Sequence, residues 1–446
     1  MSFSVQKMTV PLVLVAAFAL AAALFVASFP EPSRAQASGR HVFYVARSGH
    51  DSAGGSSKHP FRTVQHAVRA VPAGSLIRVR RGTYRGFEVK HNGITVAAAP
   101  GAKVHIRGGG DEDVVQFTDV RNGGLRGLKV LGSDVQYGSA VKVTDSQGVR
   151  IHHISAYGSR TFGIVVVDSR GVKLDHNNIF HNASGIEERR AKNLRIVAND
   201  IHDNTKEVDS GRGQEGITFY ESTGRVEVSG NHFHNNRTHL EVYGASHLVI
   251  HGNSFRAGQV METGTGGQGC RHNKFVRNVA TRGSTHSNGM ILRCAKDMLV
   301  AQNVFDGFDD FGLYIVNGLR GVSYGASIAG LRVLNNIVVG GRAYSLGAHL
   351  PRSVTIDHNL INNDGSKAAY GDHLAYVDGP GNAETLRQFT RWTGFDKHGV
   401  GRSPMFVNRS GGNFHLRAHS PAINSGAVLA SPYKGRRPDI GRYERR

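Results

Sequence analysis

The chain has 446 residues, 57 of them glycine, and a formal net charge of +20 from 54 Lys and Arg against 34 Asp and Glu. This charge favours a polyanionic partner such as an acidic polysaccharide, although basic residues scattered over a solvated surface would give the same total. The sequence has no cluster of aromatic and basic residues typical of nucleic-acid binding, so we expect no nucleic-acid partner.

An apolar run without charged residues extends from Val10 to Phe29, and the small residues Ala35-Gln36-Ala37 follow it. Because these residues match an A-x-A cleavage site, residues 1–37 are expected to be a secretory signal peptide. An uncleaved membrane anchor at residues 10–29 is the alternative, since about 20 apolar residues can cross a bilayer. Both readings place the folded part outside the cytoplasm. We expect a secreted monomer that contacts a membrane only if the apolar segment is retained.

Residues 40–84 are predicted to form an N-terminal cap and the first strands. His41–Ala46 alternates like a strand, and Pro60–Val71 has helical periodicity with a proline at its start. Leu76–Tyr84 alternates again and begins the repeated part of the chain. A helix before that point would cover the open edge of a stack of strands, so we expect a capping helix here.

A repeated motif dominates residues 85–383. Each copy has two alternating apolar residues, then Asn, any residue, and Ile, Phe or Val. The copies centre on Asn177, Asn199, Asn231 and Asn253, with weaker copies on Asn273, Asn303, Asn335 and Asn359. The period-2 alternation predicts strands, and such short units must stack to bury their apolar faces. We therefore predict an all-β, right-handed parallel β-helix in which the asparagines form a ladder of side-chain amides.

The repeat fades after Asn359, and residues 384–446 are predicted to be a helix at Thr385–Thr393 and a closing segment. Because each coil of a solenoid brings its own part of the core, we expect one domain over residues 40–446. Cys270 and Cys294 occupy slots that hold inward-facing residues in other copies. They could pair in an exported protein or remain two buried thiols.

Four stretches resemble the exported, pectate-lyase-like β-helix proteins. They are Phe43–Ala46, Pro60–Tyr84, the Asn repeats, and the tail that contains Ser420–Gly426 and Asp439–Glu444. That superfamily includes pectate and alginate lyases, chondroitinase B, polyuronate epimerases, glycoside hydrolases and adhesin-like proteins without catalysis. The resemblance implies the fold and a polysaccharide partner, whereas the reaction must be sought in individual side chains.

Strand alternation predicts which residues face outward on the strands that precede the Asn motifs. We take the strands to begin with inward-facing residues at Ile164, Ile186, Ile217, Leu240, Val260, Met290 and Leu313. One outward column is then Val165, Glu187, Thr218, Glu241, Met261, Ile291 and Tyr314. The parallel column is Val167, Arg189, Tyr220, Tyr243, Thr263, Arg293 and Val316. Arginines, carboxylates and tyrosines on one face predict a groove for an acidic sugar chain, with Arg forks on uronate carboxylates and rings on pyranose faces.

From these columns we predict two groups of site residues. The catalytic candidates are Arg293, Tyr243, Tyr220, Glu241 and the neighbouring His239, and the substrate-binding candidates are Glu187, Arg189 and Tyr314. The alternative is an ordinary solvated sheet, with Glu187 and Arg189 as a surface ion pair and the tyrosines as a cross-coil pair.

Glu262 and Arg293 resemble paired motifs of the alginate lyase and chondroitinase B family. That resemblance implies Glu262 as a Ca²⁺ ligand and Arg293 as the catalytic arginine. The family's lysine is missing from Thr263–Gly269, its histidine is replaced by Cys294, and the alternation above points Glu262 inward. A second possible calcium cluster is Asp306, Asp309 and Asp310, which turn chemistry would explain equally well. Other histidines crowd the motif turns and are expected to be solvated, namely His202, His232, His234 and His272.

The resulting hypothesis is a polysaccharide lyase that cleaves a uronate-containing glycan by β-elimination. One alternative is an inverting glycoside hydrolase that uses Glu187 and Glu241, since two coils separate their backbones by about 9–10 Å. The other alternative is a surface or carbohydrate-binding protein without turnover.

Overall fold

The computed structural model of this chain describes a defined set of residue ranges. They are 41–110, 113–206, 213–264, 269–282, 288–308, 310–317, 328–347, 350–363, 373–430 and 432–445. The predicted signal peptide or anchor lies outside these ranges. No helix within them is both long and apolar enough to cross a membrane.

Three long sheets run through the described residues, and successive coils of the chain add one strand to each of them. Sheet A contains Val42–Val45, Leu76–Val79, Thr95–Ala98, Gly124–Arg126, Arg150–His152, Lys173–Asp175, Leu194–Val197, Val226–Ser229, Leu248–His251, Lys274–Val276, Leu299–Ala301, Arg332–Leu334 and Thr355–Asp357. Sheet B contains Gly82–Arg85, Val104–Arg107, Lys129–Leu131, Ser155–Tyr157, Asn178–Phe180, Asp200–His202, His232–His234, Ser254–Arg256, Val279–Thr281, Val304–Asp306, Ile337–Val339 and Leu360–Asn362.

Sheet C contains Phe87–Val89, Asp113–Thr118, Ser139–Thr144, Phe162–Val167, Ser184–Arg189, Glu215–Tyr220, Thr238–Tyr243, Gln259–Gly264, Met290–Leu292, Leu313–Ile315, Tyr344–Leu346, Ala375–Val377 and Gly381–Ala383. Neighbouring strands are parallel throughout, except that Gly381–Ala383 returns antiparallel to Ala375–Val377. An antiparallel hairpin of Phe406–Asn408 and Asn413–Leu416 follows near the C-terminus. This architecture confirms the predicted parallel β-helix.

Like side chains stack on like in the interior, because the register aligns equivalent positions of successive coils. On sheet B, Phe233 and Phe255 are register partners with ring centroids 4.8 Å apart. Phe275 belongs to sheet A and packs between Phe255 and Phe305, with centroids 5.7 and 6.2 Å away, next to the smaller Ala280 of sheet B. All four are essentially inaccessible to solvent. Each buried phenylalanine contributes about 1.5–3 kcal/mol relative to an exposed one. The core is therefore built coil by coil, as the repeat predicts.

A ladder of asparagines lies at the turn between sheets A and B, as predicted in outline. Its members are Asn177, Asn199, Asn231, Asn253, Asn278, Asn303, Asn336 and Asn359. Each side-chain amide before Asn359 donates to the Oδ1 of the next asparagine over 2.9–3.1 Å, and Asn359 donates to Asp396 Oδ1. The other hydrogen of the amide goes to a carbonyl of the preceding coil. Every N–H of these buried amides is thus used. A second, shorter ladder joins Asn182, Asn204 and Asn236.

Two predicted ladder positions were wrong, because Asn273 and Asn335 lie outside the ladder and Asn278 and Asn336 take their places. The backbone explains the error. Each ladder asparagine follows a residue with positive φ, such as Ala198 (φ 53°) or Asn335 itself (φ 58°). Asparagine tolerates this left-handed conformation. Asn335 therefore matches the sequence motif although it occupies the position with positive φ, one residue before the ladder asparagine Asn336. Asn273 follows His272 (φ 56°) at a different turn, where it bonds Ala245 and Leu248.

Two helices occupy the predicted places within the described residues. Helix α1, Val64–Ala70, begins at the N-cap Thr63 and buries Val64, Ala67 and Val68 against the first coils. Helix α2, Leu386–Thr393, begins at the N-cap Thr385 and ends at Gly394, whose φ of 76° suits glycine. Its buried Phe389 stacks on Tyr344 with ring centroids 5.3 Å apart.

The two cysteines form a disulfide. Cys270 and Cys294, 24 residues apart, are bonded with a Cα–Cα distance of 5.6 Å. Of the two alternatives left open by the sequence, the structure selects pairing, and the bond links neighbouring coils.

Candidate functional site

The outer face of sheet C brings together most of the predicted site residues. The register aligns Glu187 with Thr218, then Glu241, then Glu262. It aligns Arg189 with Tyr220 and then Tyr243 on the same three coils. We call the set formed by Glu187, Arg189, Tyr220, Glu241, Tyr243, Glu262 and Arg293 the sheet C strip.

A stack of three side chains runs along the strip. The Arg189 guanidinium lies 5.0 Å from the centroid of the Tyr220 ring. The Tyr220 and Tyr243 centroids are also 5.0 Å apart, with ring planes within 8° of parallel. On its far side Tyr243 packs on Gly264, where an added Cβ would lie 2.7 Å from the ring. The ring faces are therefore covered. Our expectation that they pack on sugars is wrong, and the tyrosines present edges and hydroxyl groups instead.

The Tyr243 hydroxyl donates a hydrogen bond to Glu241 Oε1 in the middle of the strip. Burial raises the pKa of Tyr243 far above its ordinary value, and the hydrogen bond and negative charge of Glu241 add to the effect. Tyr243 therefore keeps its proton at neutral pH, which suits a proton donor rather than a base.

Glu187 and Arg189 form an ion pair at one end of the strip, with Arg189 Nε 2.6 Å from Glu187 Oε1. Glu187 is only 4% exposed, and burial raises its pKa despite the arginine. The pair is thus more than the solvated surface contact considered above. The next residue, Glu188, points into the core, where burial raises its pKa to about 7. Its carboxylate accepts hydrogen bonds from Ser222 Oγ and from the Ala191 backbone N–H, the latter over 2.6 Å.

Glu262 points outward, which corrects the predicted alternation. Met261 and Thr263 were assigned to the outward columns, but they are 1% and 0% exposed and face the core. Met261, not Val260, is the register partner of Leu240, so the outward position falls on Glu262. Its carboxylate pairs with Arg293 and accepts a hydrogen bond from Gln259 Nε2 over 2.9 Å. Arg293 is tied to the same strand, since its backbone N–H donates to Thr263 Oγ1 over 2.9 Å.

His239 does not reach the strip. It is fully buried, between the rings of Phe233 and Phe255, and its Nδ1 contacts Asn236 Nδ2 at 3.2 Å. Burial lowers its pKa to about 3, so the ring stays neutral. Its place in the catalytic group was therefore wrong: at this corner of the coil two consecutive residues, His239 and Leu240, both face inward.

Tyr314 lies beyond the rest of the strip. Its register partner is Ile291, which in turn aligns with Glu262. Its ring packs against Phe311 with a centroid distance of 5.1 Å. Tyr314 would contact only a ligand that extends two coils past Glu262, and its substrate-binding role stays a prediction.

The strip does not gather the ligands that Ca²⁺ prefers, which number six to eight oxygens. Within the described ranges, no three Asp, Glu, His or Cys ligand atoms of the strip lie close enough together to share an ion, and Arg293 already neutralises Glu262. Asp306 pairs with Arg409, while Asp309 lies outside the described residues. These contacts do not support calcium binding at Glu262. The calcium site stays a prediction, and no catalytic step below depends on it.

The comparisons with known proteins agree with this architecture. The family model described as "Right handed beta helix region" matches residues 84–255 and 216–379. The chain belongs to the right-handed β-helix family. No curated protein sequence matches this β-helix chain.

Two solved structures with this fold are a pectate lyase, Pel9A, and the Dettilon tailspike protein. The pectate lyase is 16% identical with a TM-score of 0.52, and the match covers 91% of this chain and 97% of the lyase. The tailspike protein is 14% identical with a TM-score of 0.50, and the match covers 76% and 69% of the two chains. At these identities the likeness shows the fold of the β-helix and not its reaction.

Sequence reasoning missed two features on the outer face of sheet B. One is a group of histidines and aspartates that includes His202, His232 and His234. The other is a cleft of about 1080 Å³ between sheet B and the C-terminal hairpin. Its lining includes Arg256, Arg282, Arg409, Arg417 and Arg442. The alternation of His232-Phe233-His234 was a usable signal for the first feature. Nothing in the sequence places the hairpin beside the coils.

Proposed function

We propose that this β-helix protein binds an acidic polysaccharide along the sheet C strip and cleaves it by β-elimination. The observation that carries the proposal is the hydrogen bond between Tyr243 and Glu241. Both residues lie on one strand, on a coil between those of Arg189 and Arg293. The pectate lyase of the same fold supports the choice of substrate class. The net charge of +20 supports it as well, because it attracts polyanions.

Arginine side chains supply the binding of uronate carboxylates. A guanidinium has five N–H donors in a planar fork, so Arg189 and Arg293 can keep their glutamate partners and still bind a substrate carboxylate. Neutralising that carboxylate makes the proton on C5 easier to remove. Because exposed ionic contacts are screened, binding should weaken as the salt concentration rises.

Glu241 and Tyr243 supply the proton transfers. Glu241 takes the C5 proton, the electrons of that C–H bond form the C4–C5 double bond, and the C4–O bond to the leaving sugar breaks. Tyr243 gives its proton to the leaving oxygen, and the proton on Glu241 then passes to the tyrosinate along their hydrogen bond. The pair returns to its starting state with no net change in protons.

The test measures the ultraviolet absorbance of unsaturated uronate products. The full-length protein is incubated with pectate, alginate and glycosaminoglycans, each with and without Ca²⁺. Tyr243→Phe keeps the stacked ring and removes only the hydroxyl, so we expect a rate loss of about 100-fold or more with substrate binding retained. The matched control is Tyr157→Phe, a tyrosine that stacks on Phe180 on the outer face of sheet B, and it should leave the rate unchanged.

A second pair of variants tests the arginine. Arg293→Ala should lower turnover or binding at least tenfold, about 1.4 kcal/mol, whereas Arg69→Ala, in the last turn of helix α1, should do neither. Equal rates for Tyr243→Phe and the wild type would refute the assignment of the proton donor.

The same assay separates the alternatives. New reducing ends without ultraviolet absorbance would indicate hydrolysis, for which Glu187 and Glu241, two coils apart in the register, are the carboxylate pair. Binding without either product would indicate a carbohydrate-binding protein.

A further inference from the structure

We propose that Asp200, His232 and His234 form a Zn²⁺ site on the outer face of sheet B. The two strands that carry them are Asp200–His202 and His232–His234, whose central residues Ile201 and Phe233 are buried. Their flanking side chains therefore point outward. Asp200 aligns with His232 and His202 aligns with His234, so four polar side chains occupy the corners of a square on adjacent coils.

The distances among the three ligands suit a tetrahedral ion. Asp200 Oδ1 lies 3.4 Å from His232 Nδ1 and 3.2 Å from His234 Nε2. All three atoms lie within 4.8 Å of one another. A zinc ion with bonds near 2.0–2.1 Å holds its ligand atoms about 3.3 Å apart, so only small side-chain movements are needed. Asp200 Oδ1 is also buried without a hydrogen-bond donor among the described residues, which leaves its lone pairs available to a cation.

Neighbouring side chains hold the His234 ring in place. His202 stacks on it with ring centroids 4.4 Å apart and planes within 9°. His202 is itself fixed at both nitrogens, with Nδ1 2.6 Å from Asp203 Oδ2 and Nε2 2.8 Å from Asn178 Oδ1. Such supporting contacts orient ligands in metal sites and raise affinity. His202 is thus a positioning residue in this proposal.

Two imidazoles and one carboxylate favour zinc over calcium or magnesium, which prefer oxygen ligands alone. Three protein ligands leave a fourth position for water or another ligand. His232 also lines the arginine-rich cleft described above, so an anionic oxygen of a carboxylate or sulfate is the expected fourth ligand. Arg256 is the register partner of His234, and its positive charge repels a divalent cation at this site. We therefore expect a zinc Kd in the micromolar range rather than a lower one.

A second group, Asp357, His358 and His398, also has three candidate ligand atoms close together. There, Asp357 Oδ1 already accepts the backbone N–H groups of His358 and His398, both over 2.9 Å. That carboxylate therefore joins two segments of the chain. The Asp357 group is for this reason the weaker candidate for a zinc site.

The experiment is a calorimetric titration of the full-length, chelator-treated protein with Zn²⁺, with Co²⁺ as a spectroscopic probe. We expect one zinc ion per chain at this site and the visible absorption of a tetrahedral cobalt complex. Asp200→Asn preserves size and should raise the zinc Kd at least about tenfold, as should His234→Ala. The matched control is His251→Ala, because His251 pairs with a single carboxylate, Glu227, at 3.5 Å. It should leave the Kd unchanged.

Unfolding midpoints without metal show whether each variant is folded, and if His234→Ala is not, the isosteric Asp200→Asn decides the question. Unchanged zinc affinity in Asp200→Asn would overturn the proposal. Binding that disappears only in His398→Ala would also overturn it, because the ion would then occupy the Asp357 group.

Discussion

Asp396 ends the asparagine ladder, and replacing it tests the energetics of the whole turn. Asn359 donates to Asp396 Oδ1 from its backbone N–H over 3.1 Å and from its side chain over 3.0 Å. The Tyr344 hydroxyl donates to the other oxygen over 3.0 Å. Each ladder member donates in the same direction, so the last one needs an acceptor. A carboxylate meets this need, and Asp396→Asn keeps the accepting oxygen while removing the charge.

The expected effect is a change in how stability depends on pH. Asp396 is 2% exposed, and burial raises its pKa from the ordinary 3.8 to about 6 although the three donors oppose the shift. The folded protein then holds a proton that the unfolded chain has released between these two pH values. The contribution of Asp396 to the unfolding free energy is therefore fully present below pH 3.8 and is lost as the pH rises through 6. A shift of this size corresponds to about 3 kcal/mol at 1.36 kcal/mol per pKa unit.

The assay is urea unfolding of wild type and Asp396→Asn at intervals from pH 4 to pH 7. Every other titrating group, including the buried Glu188, is common to the two proteins. The difference between their unfolding free energies therefore reports Asp396 alone. Because part of the contribution is already lost at pH 4, we expect the wild type to lose about 2.4 kcal/mol relative to the variant over this range. A flat difference would show that the pKa is not raised, and a difference of the opposite sign would show that the ladder stabilises the charged form.

Four shorter predictions concern other parts of the molecule. Asn231→Leu should lower the unfolding free energy by about 1–3 kcal/mol, since neighbouring ladder groups lose buried partners; an unchanged unfolding midpoint would contradict the ladder's role. Cys294→Ser should destabilise the protein by about 3 kcal/mol on the chain-entropy model for a 24-residue loop, measured by urea unfolding. Gly264→Ala should displace the Tyr243 ring and reduce glycan turnover while the fold, followed by circular dichroism, persists. N-terminal sequencing of exported protein should begin near Ser38, and retention of Val10–Phe29 would favour the anchor instead.

The sequence by itself determined the fold, because the β-helix is a local repetition. Each coil has its own alternating apolar residues and its own turn, so the motif around Asn177 already contains the pattern of every later coil. Both helices could be placed for a similar reason, since helical periodicity is local; the structure adds that they begin at the N-caps Thr63 and Thr385. The outward positions of Glu187, Glu241 and Tyr243 followed from alternation within single strands.

Only the tertiary structure decided the register between coils and the side-chain contacts that neighbouring coils make with each other. Near the start of sheet C strands, two consecutive residues can both face inward, such as Val260 and Met261 within Gln259–Gly264. The sequence does not show which of them begins the alternation, and a shift of one residue moves Glu262 from the core to the surface. The covered faces of Tyr220 and Tyr243 and the meeting of Asp200 with His234 depend in the same way on which coils are neighbours. These contacts join residues more than twenty positions apart, and their distances are set by the stacking of coils rather than by any local sequence pattern.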